Sequence, residues 1–380
     1  MVSLETAFLT EERDHDMGFE QRSQAIRRLE EVRGSKVLVH FLSDRRVAMN
    51  IPTGMATALA GEPYRFIYEH VRAMRRPQNL DLFLHTSGGH LDSVWPLVSL
   101  CRSVCGTFSV LVPMRALSGG TLLCLGADKV LMCEPALLSP IDPSTANAFN
   151  PKDKDRPIPI SVEDVTSYFD LARGDEEGGS AGVGLKSDEH ILEIFKALTA
   201  QVHPLALGNV KRVHSQIRDI ARRLLELHVT GDQAEERINA VVGILTEKLY
   251  SHAHQINRAE ALEILGSDML VLPSPEEEAA MWDLYRLYED FFELTRTFNL
   301  KDWMGDAEEK ELEAIGGVIE SDGMSHLFKT MSKVRRISEL PSGAQVQIAP
   351  GQRMPIIPGL PVRINLEPIR EGWYSNEEGI

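Results

Sequence analysis

This chain has little of what would place it in several common classes. It carries four cysteines among 380 residues, and no two of them form a C-x-x-C pair. A cysteine zinc site therefore has no support, and neither does a disulfide framework. Cys101, Cys105, Cys124 and Cys133 all lie in apolar stretches, the first two sharing one helical face, and read as buried structural thiols. No apolar run approaches the ~20 residues that a membrane helix needs, so no membrane partner is expected. Basic residues number 40 against 56 acidic ones, and the net charge of −16 argues against nucleic acid or an anionic membrane surface as a partner. The opening MVSLETAFLTEERDHDMG has neither the basic start nor the apolar stretch of a signal peptide. A cytoplasmic location is the expectation.

What is present is ordinary globular material, 43% hydrophobic, in a chain long enough for a sizeable core and an appendage. Strand patterns at 37–42, 80–85, 107–112 and 129–133 alternate with helical patterns at 61–74, 91–104 and 121–127. Alternation at this pitch indicates parallel βαβ units, hence an α/β fold. A charged helix with one thin apolar stripe precedes them at 20–33. Residues 150–159 form a polar, proline-punctuated loop, and the glycine- and acid-rich 174–184 reads as an exposed flexible one. Further helices are predicted at 162–172, 189–201, 207–227, 258–265 and 275–298, the last with an aromatic face. From Gly316 the texture changes to short antiparallel strands between Gly and Pro breaks. The expected division is an N-terminal helical segment (1–33), a main domain (34–272), a helical extension (273–315) and a separate C-terminal β element (316–380). That last element is a candidate partner-binding surface.

Two stretches carry the chemistry. LFLHTSGG (82–89) reads as a buried strand entering a tight glycine turn, and VPMRALSGGTLLCLGADKVLM (112–132) as a strand, a serine elbow and a small-residue helix. A serine followed by Gly119 and Gly120, with a second glycine pair upstream, suits acyl transfer. The hydroxyl attacks a carbonyl and glycine N–H groups hold the oxyanion. The alternative reading is that S-G-G merely allows close helix–strand packing.

These stretches resemble the ClpP/SppA superfamily of serine peptidases, and within it the serine dehydrogenase proteinase family. The motifs are LHTSGG for that family's LHTPGG, ALSGGT for its A-M-S-A-G-T, and LLSPIDP (137–143) for its L-G-P-I-D-P. The step of 30 residues from Gly88 to Ser118 is similar to that in ClpP. The resemblance implies a ClpP/crotonase-like superhelix of βαβ units, with long helices through which subunits pack into a homo-oligomer. It also implies a peptide or protein substrate, held along a strand edge beside the Gly88–Gly89 turn, and no cofactor. Ser118 falls on the nucleophile, and Gly88, Gly89 and Gly119 on the oxyanion donors.

The base is open. Where ClpP has a histidine, this chain has Asp142 and Pro143, and an aspartate deprotonates a serine only if burial raises its pKa. His252 or His254, in SHAH, can serve instead, with Asp142 as orienter. They flank Ala253, the position that counting back from Glu260 assigns to the triad's acid. SppA-type relatives use a lysine, which makes Lys152, Lys154 and Lys186 alternatives, each needing desolvation to be neutral. A metal reading that adds His203 or His214 to the SHAH histidines lacks a third ligand at a convincing offset. His85 and His90, which bracket the glycine turn, read as packing residues. Besides the serine endopeptidase, two readings remain: a catalytically dead ClpP-like scaffold that binds peptides, and a crotonase-like acyl-CoA enzyme that uses the oxyanion hole without a nucleophile.

Overall fold

The computed structural model describes residues 4–48, 53–141, 144–145, 147–153, 156–173, 183–185, 187–248, 254–338 and 360–375. In chain order its elements begin α1 (Leu4–Arg33), β1 (Lys36–Leu42), α2 (Tyr64–Ala73), β2 (Asn79–His85), α3 (Val94–Val104), β3 (Thr107–Val112) and β4 (Arg115–Ala116). There follow α4 (Gly119–Cys124), β5 (Lys129–Met132), β6 (Leu137–Leu138), β7 (Ser144–Thr145), β8 (Lys152–Asp153), β9 (Arg156–Pro157) and β10 (Ile160–Ser161). Next come α5 (Val162–Arg173), α6 (Asp188–Gln201), α7 (Pro204–Glu226), α8 (Ala234–Gly243), β11 (Ile256–Asn257), α9 (Arg258–Leu265) and β12 (Leu270–Val271). The chain closes with α10 (Pro275–Phe291), α11 (Leu300–Met304), β13 (Glu309–Ser321), β14 (Met324–Ser338) and β15 (Val362–Ser375). Two compact units result: Met1–Ser87, Leu100–Pro113 and Pro273–Ile380 form one, and Gly88–Ser99 with Met114–Leu272 the other.

In the first unit β1, β2 and β3 run parallel, as the alternating pattern predicts for an α/β protein. Every residue of β1 and β2 after the first is buried, which is why these strands read as mainly apolar runs without a solvent-facing alternation. The sheet continues from β1 through β13, β14 and β15, all antiparallel. This corrects the expected domain division. The strands after residue 309 are long, not short, and they extend the sheet of the main domain rather than forming a separate β element. The hairpin between β13 and β14 turns on Asp322-Gly323, with Gly323 at φ 78, so a two-residue turn joins two long strands. Segment 344–350, also expected as a strand, lies outside the described residues.

Consecutive residues of β13 face opposite layers. Glu320 meets α1 and α10: Arg22 holds its carboxylate in a two-pronged ion pair at 2.8 and 3.0 Å, and the Tyr288 hydroxyl donates to it at 2.5 Å. Ser325 donates to it as well. Burial disfavours the charge on Arg22, yet the adjacent Glu320 holds its pKa above the ordinary value. The N-terminal helix is thus packed into this unit and is no independent segment. Ser321 meets α2 on the other face, where its hydroxyl lies 2.7 Å from His70 Nδ1. Helix α10 stops at Phe291, short of the expected 298. Glu293 adopts φ 49 while Leu294 N–H reaches back to Glu289 O and Glu293 N–H to Asp290 O, a Schellman ending without its usual glycine.

The second unit is mainly helical. Helix α7 starts on Pro204 and buries Val210, His214, Ile217, Ala221, Leu224 and Leu225 along one stripe. Gly126 packs so tightly on Val98 and Leu224 that a Cβ there would lie 2.6 Å from Val98. Strand β5 pairs in parallel with β12, and β4, β6 and β11 form a small sheet. The loop at 150–159 contains the small β8–β9 pair. The flexible loop expected at 174–184 falls largely on residues outside the described ones. None of the four cysteines is in a disulfide, and burial pushes the Cys124 thiol up to about 12. Among the described residues, no helix is long and apolar enough to cross a membrane.

His40 supplies a pH test. It is fully buried in β1, neither ring nitrogen has a hydrogen-bond partner among the described residues, and burial lowers its pKa from 6.5 to about 4. The unfolded chain therefore binds the proton first. Stability is complete above pH 6.5 and declines as pH falls toward 4, by about 3 kcal/mol from this residue. In denaturant titrations across that range, His40→Leu should show a shallower decline than the parent; equal slopes would contradict this assignment.

Candidate active site

The site grows out of the small three-stranded sheet of the second unit. Ala116 of β4 pairs in parallel with Leu138 of β6, which pairs antiparallel with Ile256 of β11. Ser118, Pro140 and His254 each lie two residues beyond that row, at the same end of the sheet. A tripeptide that enters a helix and two chain segments that leave a sheet are thus gathered by register alone.

Ser118 occupies the N-cap of α4 at φ 50 and ψ −109, a conformation that side-chain-bearing residues rarely adopt. It is half-buried, and its hydroxyl makes no hydrogen bond among the described residues. Its backbone is held from several directions. Ser118 N–H donates to Ser139 Oγ at 2.7 Å, and Ser118 O accepts from Leu122 N–H at 3.0 Å. Leu117 O accepts from Gly120 N–H. The Gly119 N–H has no acceptor among the described residues.

The glycine turn lies directly against this elbow. Gly88 has φ +103, and a Cβ on it would stand 2.8 Å from Ser118 Cβ and 3.0 Å from Leu117 O. Only a residue without a side chain fits. Gly89 also lies at positive φ.

His254 is the one candidate histidine base within the described residues. Its Nε2 lies 2.9 and 3.1 Å from the two carboxylate oxygens of Glu260, and its side chain is 39% exposed. Glu260 is fixed in the first turn of α9, where the Asn257 side chain accepts from the N–H groups of Ala259 and Glu260. A histidine with one nitrogen on a carboxylate and the other without a partner among the described residues has the layout of a base with its orienter. Asp142, His252, Lys154 and Lys186 lie outside the described residues. Lys152 is exposed on β8. His85, in the other unit, is buried and stacked on Phe41 at 4.2 Å, a packing role. His203 caps α7, and no group of three His, Cys, Asp or Glu among the described residues could hold a metal.

Sequence reading missed three residues of this arrangement. Glu260 served only as a spacing landmark, since a carboxylate six positions after a histidine is a common occurrence. Ser139 and Thr121 stood inside the motifs without an assigned role, because a hydroxyl that bonds across 18 or 21 positions leaves no local pattern.

Residues 6–153 match the family model of ClpP-like SDH-type serine proteinases, the family that the three motifs resemble. Over those residues the sequence fits that family, and the match ends well before His254 and Glu260. Uncharacterized protein MJ0137 of Methanocaldococcus jannaschii is 28% identical over 221 residues, 58% of this chain and 63% of the relative. Uncharacterized protein MJ1495 of the same organism is 30% identical over 131 residues, 32% of this chain and 42% of the relative. The chain thus spans less than two thirds of either of these curated relatives. Among solved structures, a mutant of the 1510-N membrane-bound stomatin-specific protease in complex with a substrate peptide is 11% identical. The similarity covers 56% of this chain and 71% of that one, with a TM-score of 0.34. A second mutant of that protease is similar over 55% and 72% at 11% identity, with a TM-score of 0.33.

The close approach at Gly88 gives a direct test. Gly88→Ala must either abandon φ +103 or push Ser118 aside, and should lose about 1–3 kcal/mol of stability. Denaturant unfolding measures this, and a variant as stable as the parent would show that the turn does not abut the elbow.

Proposed function

We propose that this protein is a serine endopeptidase in which Ser118 forms an acyl-enzyme. The observation that carries the reading is the strained Ser118 elbow, its backbone pressed against the Gly88 turn. Strain of this kind is retained where it presents a group to a substrate. In the proposed reaction Ser118 Oγ attacks the scissile carbonyl carbon while its proton passes to His254. The negative charge on the carbonyl oxygen is met by the Gly119 N–H and by the Gly88–Gly89 turn. The C–N bond then breaks, His254 returns the proton to the leaving amine, and water hydrolyses the ester by the same route.

His254 is preferred over the lysines and over Asp142 as base because it emerges at the same end of the small sheet as Ser118 and is backed by Glu260. Asp142 and His252 adjoin the same segments. The substrate is a peptide or protein. The active form is a cytoplasmic homo-oligomer, with the exposed far strand β15 as a surface for a partner protein. A peptide-binding scaffold without catalysis is the second reading. It is favoured by one observation, that no described side chain hydrogen-bonds the Ser118 hydroxyl.

A fluorophosphonate probe decides between them. The parent chain should be labelled and Ser118→Ala should not, with any cleavage of a quenched fluorescent peptide lost in parallel. Equal labelling of both, or none of either, would remove the nucleophile from the account.

A further inference from the structure

The elbow is held by a chain of hydrogen bonds whose direction can be worked out. Thr121 Oγ1 donates its only proton to Ala116 O at 2.8 Å, so its lone pair must accept the Ser139 N–H at 3.0 Å. Ser139 Oγ in turn donates its only proton to Pro140 O at 3.0 Å, so its lone pair faces the Ser118 N–H at 2.7 Å. Ala116, Thr121 and Ser139 are all buried, Thr121 completely. Each of the two hydroxyls spends its proton on one carbonyl and offers its lone pair to one N–H. The chain ties the end of β4, the first turn of α4 and the segment after β6 to a single point, the Ser118 amide.

We propose that Ser139 is a positioning residue for the nucleophile, with Thr121 as its support. The Ser139 hydroxyl fixes the peptide plane before Ser118, and through it the φ of 50 from which the Ser118 side chain projects. This rests on the reading of Ser118 as nucleophile. Without the Ser139 oxygen the Ser118 N–H is left without its acceptor in a partly buried place, and the backbone relaxes toward an ordinary conformation that carries the hydroxyl with it. The same bond commits the Ser118 amide, so that amide is not one of the oxyanion donors. Small errors in the position of a reacting atom are enough to cost most of its reactivity.

The test uses the full chain in four forms beside the parent: Ser118→Ala, Ser139→Ala, Ser139→Thr and Thr121→Val. Two quantities are read. Hydrogen exchange with fragment-level mass spectrometry over residues 117–120 follows the Ser118 amide, and fluorophosphonate labelling at increasing probe concentration separates probe affinity from the maximal rate. In Ser139→Ala, amide exchange should speed up and the maximal labelling rate fall, each by about tenfold or more, with half-saturation unchanged. Ser139→Thr keeps the hydroxyl and should restore both, a rescue that a packing role would not give. Thr121→Val keeps the shape and should move both in the direction of Ser139→Ala. An unchanged exchange rate in folded Ser139→Ala, or faster exchange with parental labelling, overturns the proposal. Labelling of the parent no better than of Ser118→Ala overturns the nucleophile reading instead, and the exchange rates then still decide whether Ser139 holds the amide.

Discussion

The hydrogen bond from Ser118 N–H to Ser139 Oγ, 2.7 Å long, joins two stretches of chain that meet only because β4 and β6 are paired. A serine at φ 50 is not a conformation the local sequence favours. It persists because the parts around it leave no other: Ser139 takes the amide, Leu122 and Gly120 close the first turn, and Gly88 fills the space against the side chain. Each constraint is weak, worth about 1 kcal/mol for an ordinary hydrogen bond. Together they outweigh a strain of similar size, and the result is a hydroxyl presented with its own amide already occupied.

The first unit solves a different problem with the same means. Glu320 sits in the middle of a buried sheet, where an unpaired carboxylate would not survive, and Arg22, Tyr288 and Ser325 all point at it. Such a cluster is weak evidence for stability, since the desolvation it costs can exceed what the pair returns. What it does is fix which residues of α1, α10 and β13 come together. Burial and the neighbouring Glu320 charge push the Tyr288 phenol well above its usual range, so the hydroxyl stays a donor. On the opposite face His70 Nε2 lies 3.0 Å from His326 Nδ1, and burial and the neighbouring histidine lower the pKa of His70 to about 3.

The α/β class was legible in the sequence wherever a strand is buried on both faces. The runs that became β1, β2, β3 and β5 are mainly apolar and bounded by turn residues, and helices such as α7 and α9 carry their periodicity and caps openly. The continuation of the sheet through β13 was not legible. An antiparallel strand joined to a parallel sheet has no signature of its own, since the partner, β1, lies more than 250 positions away. The serine and the glycines of the site could be read because glycine spacing is local. Glu260 and Ser139 could not, because their roles depend on the register of two-residue strands. In β11, β6 and β4, pairing of single residues decides what meets what.

The central claim is that the Ser118 hydroxyl becomes covalently acylated during turnover. The most direct measurement is mass spectrometry of the protein quenched during hydrolysis of an activated peptide ester, followed by digestion and mapping. The account predicts a burst of released alcohol equal to the number of active chains, and an added acyl mass on the peptide that contains Ser118. Steady turnover with no adduct, or an adduct confined to another residue, would contradict it.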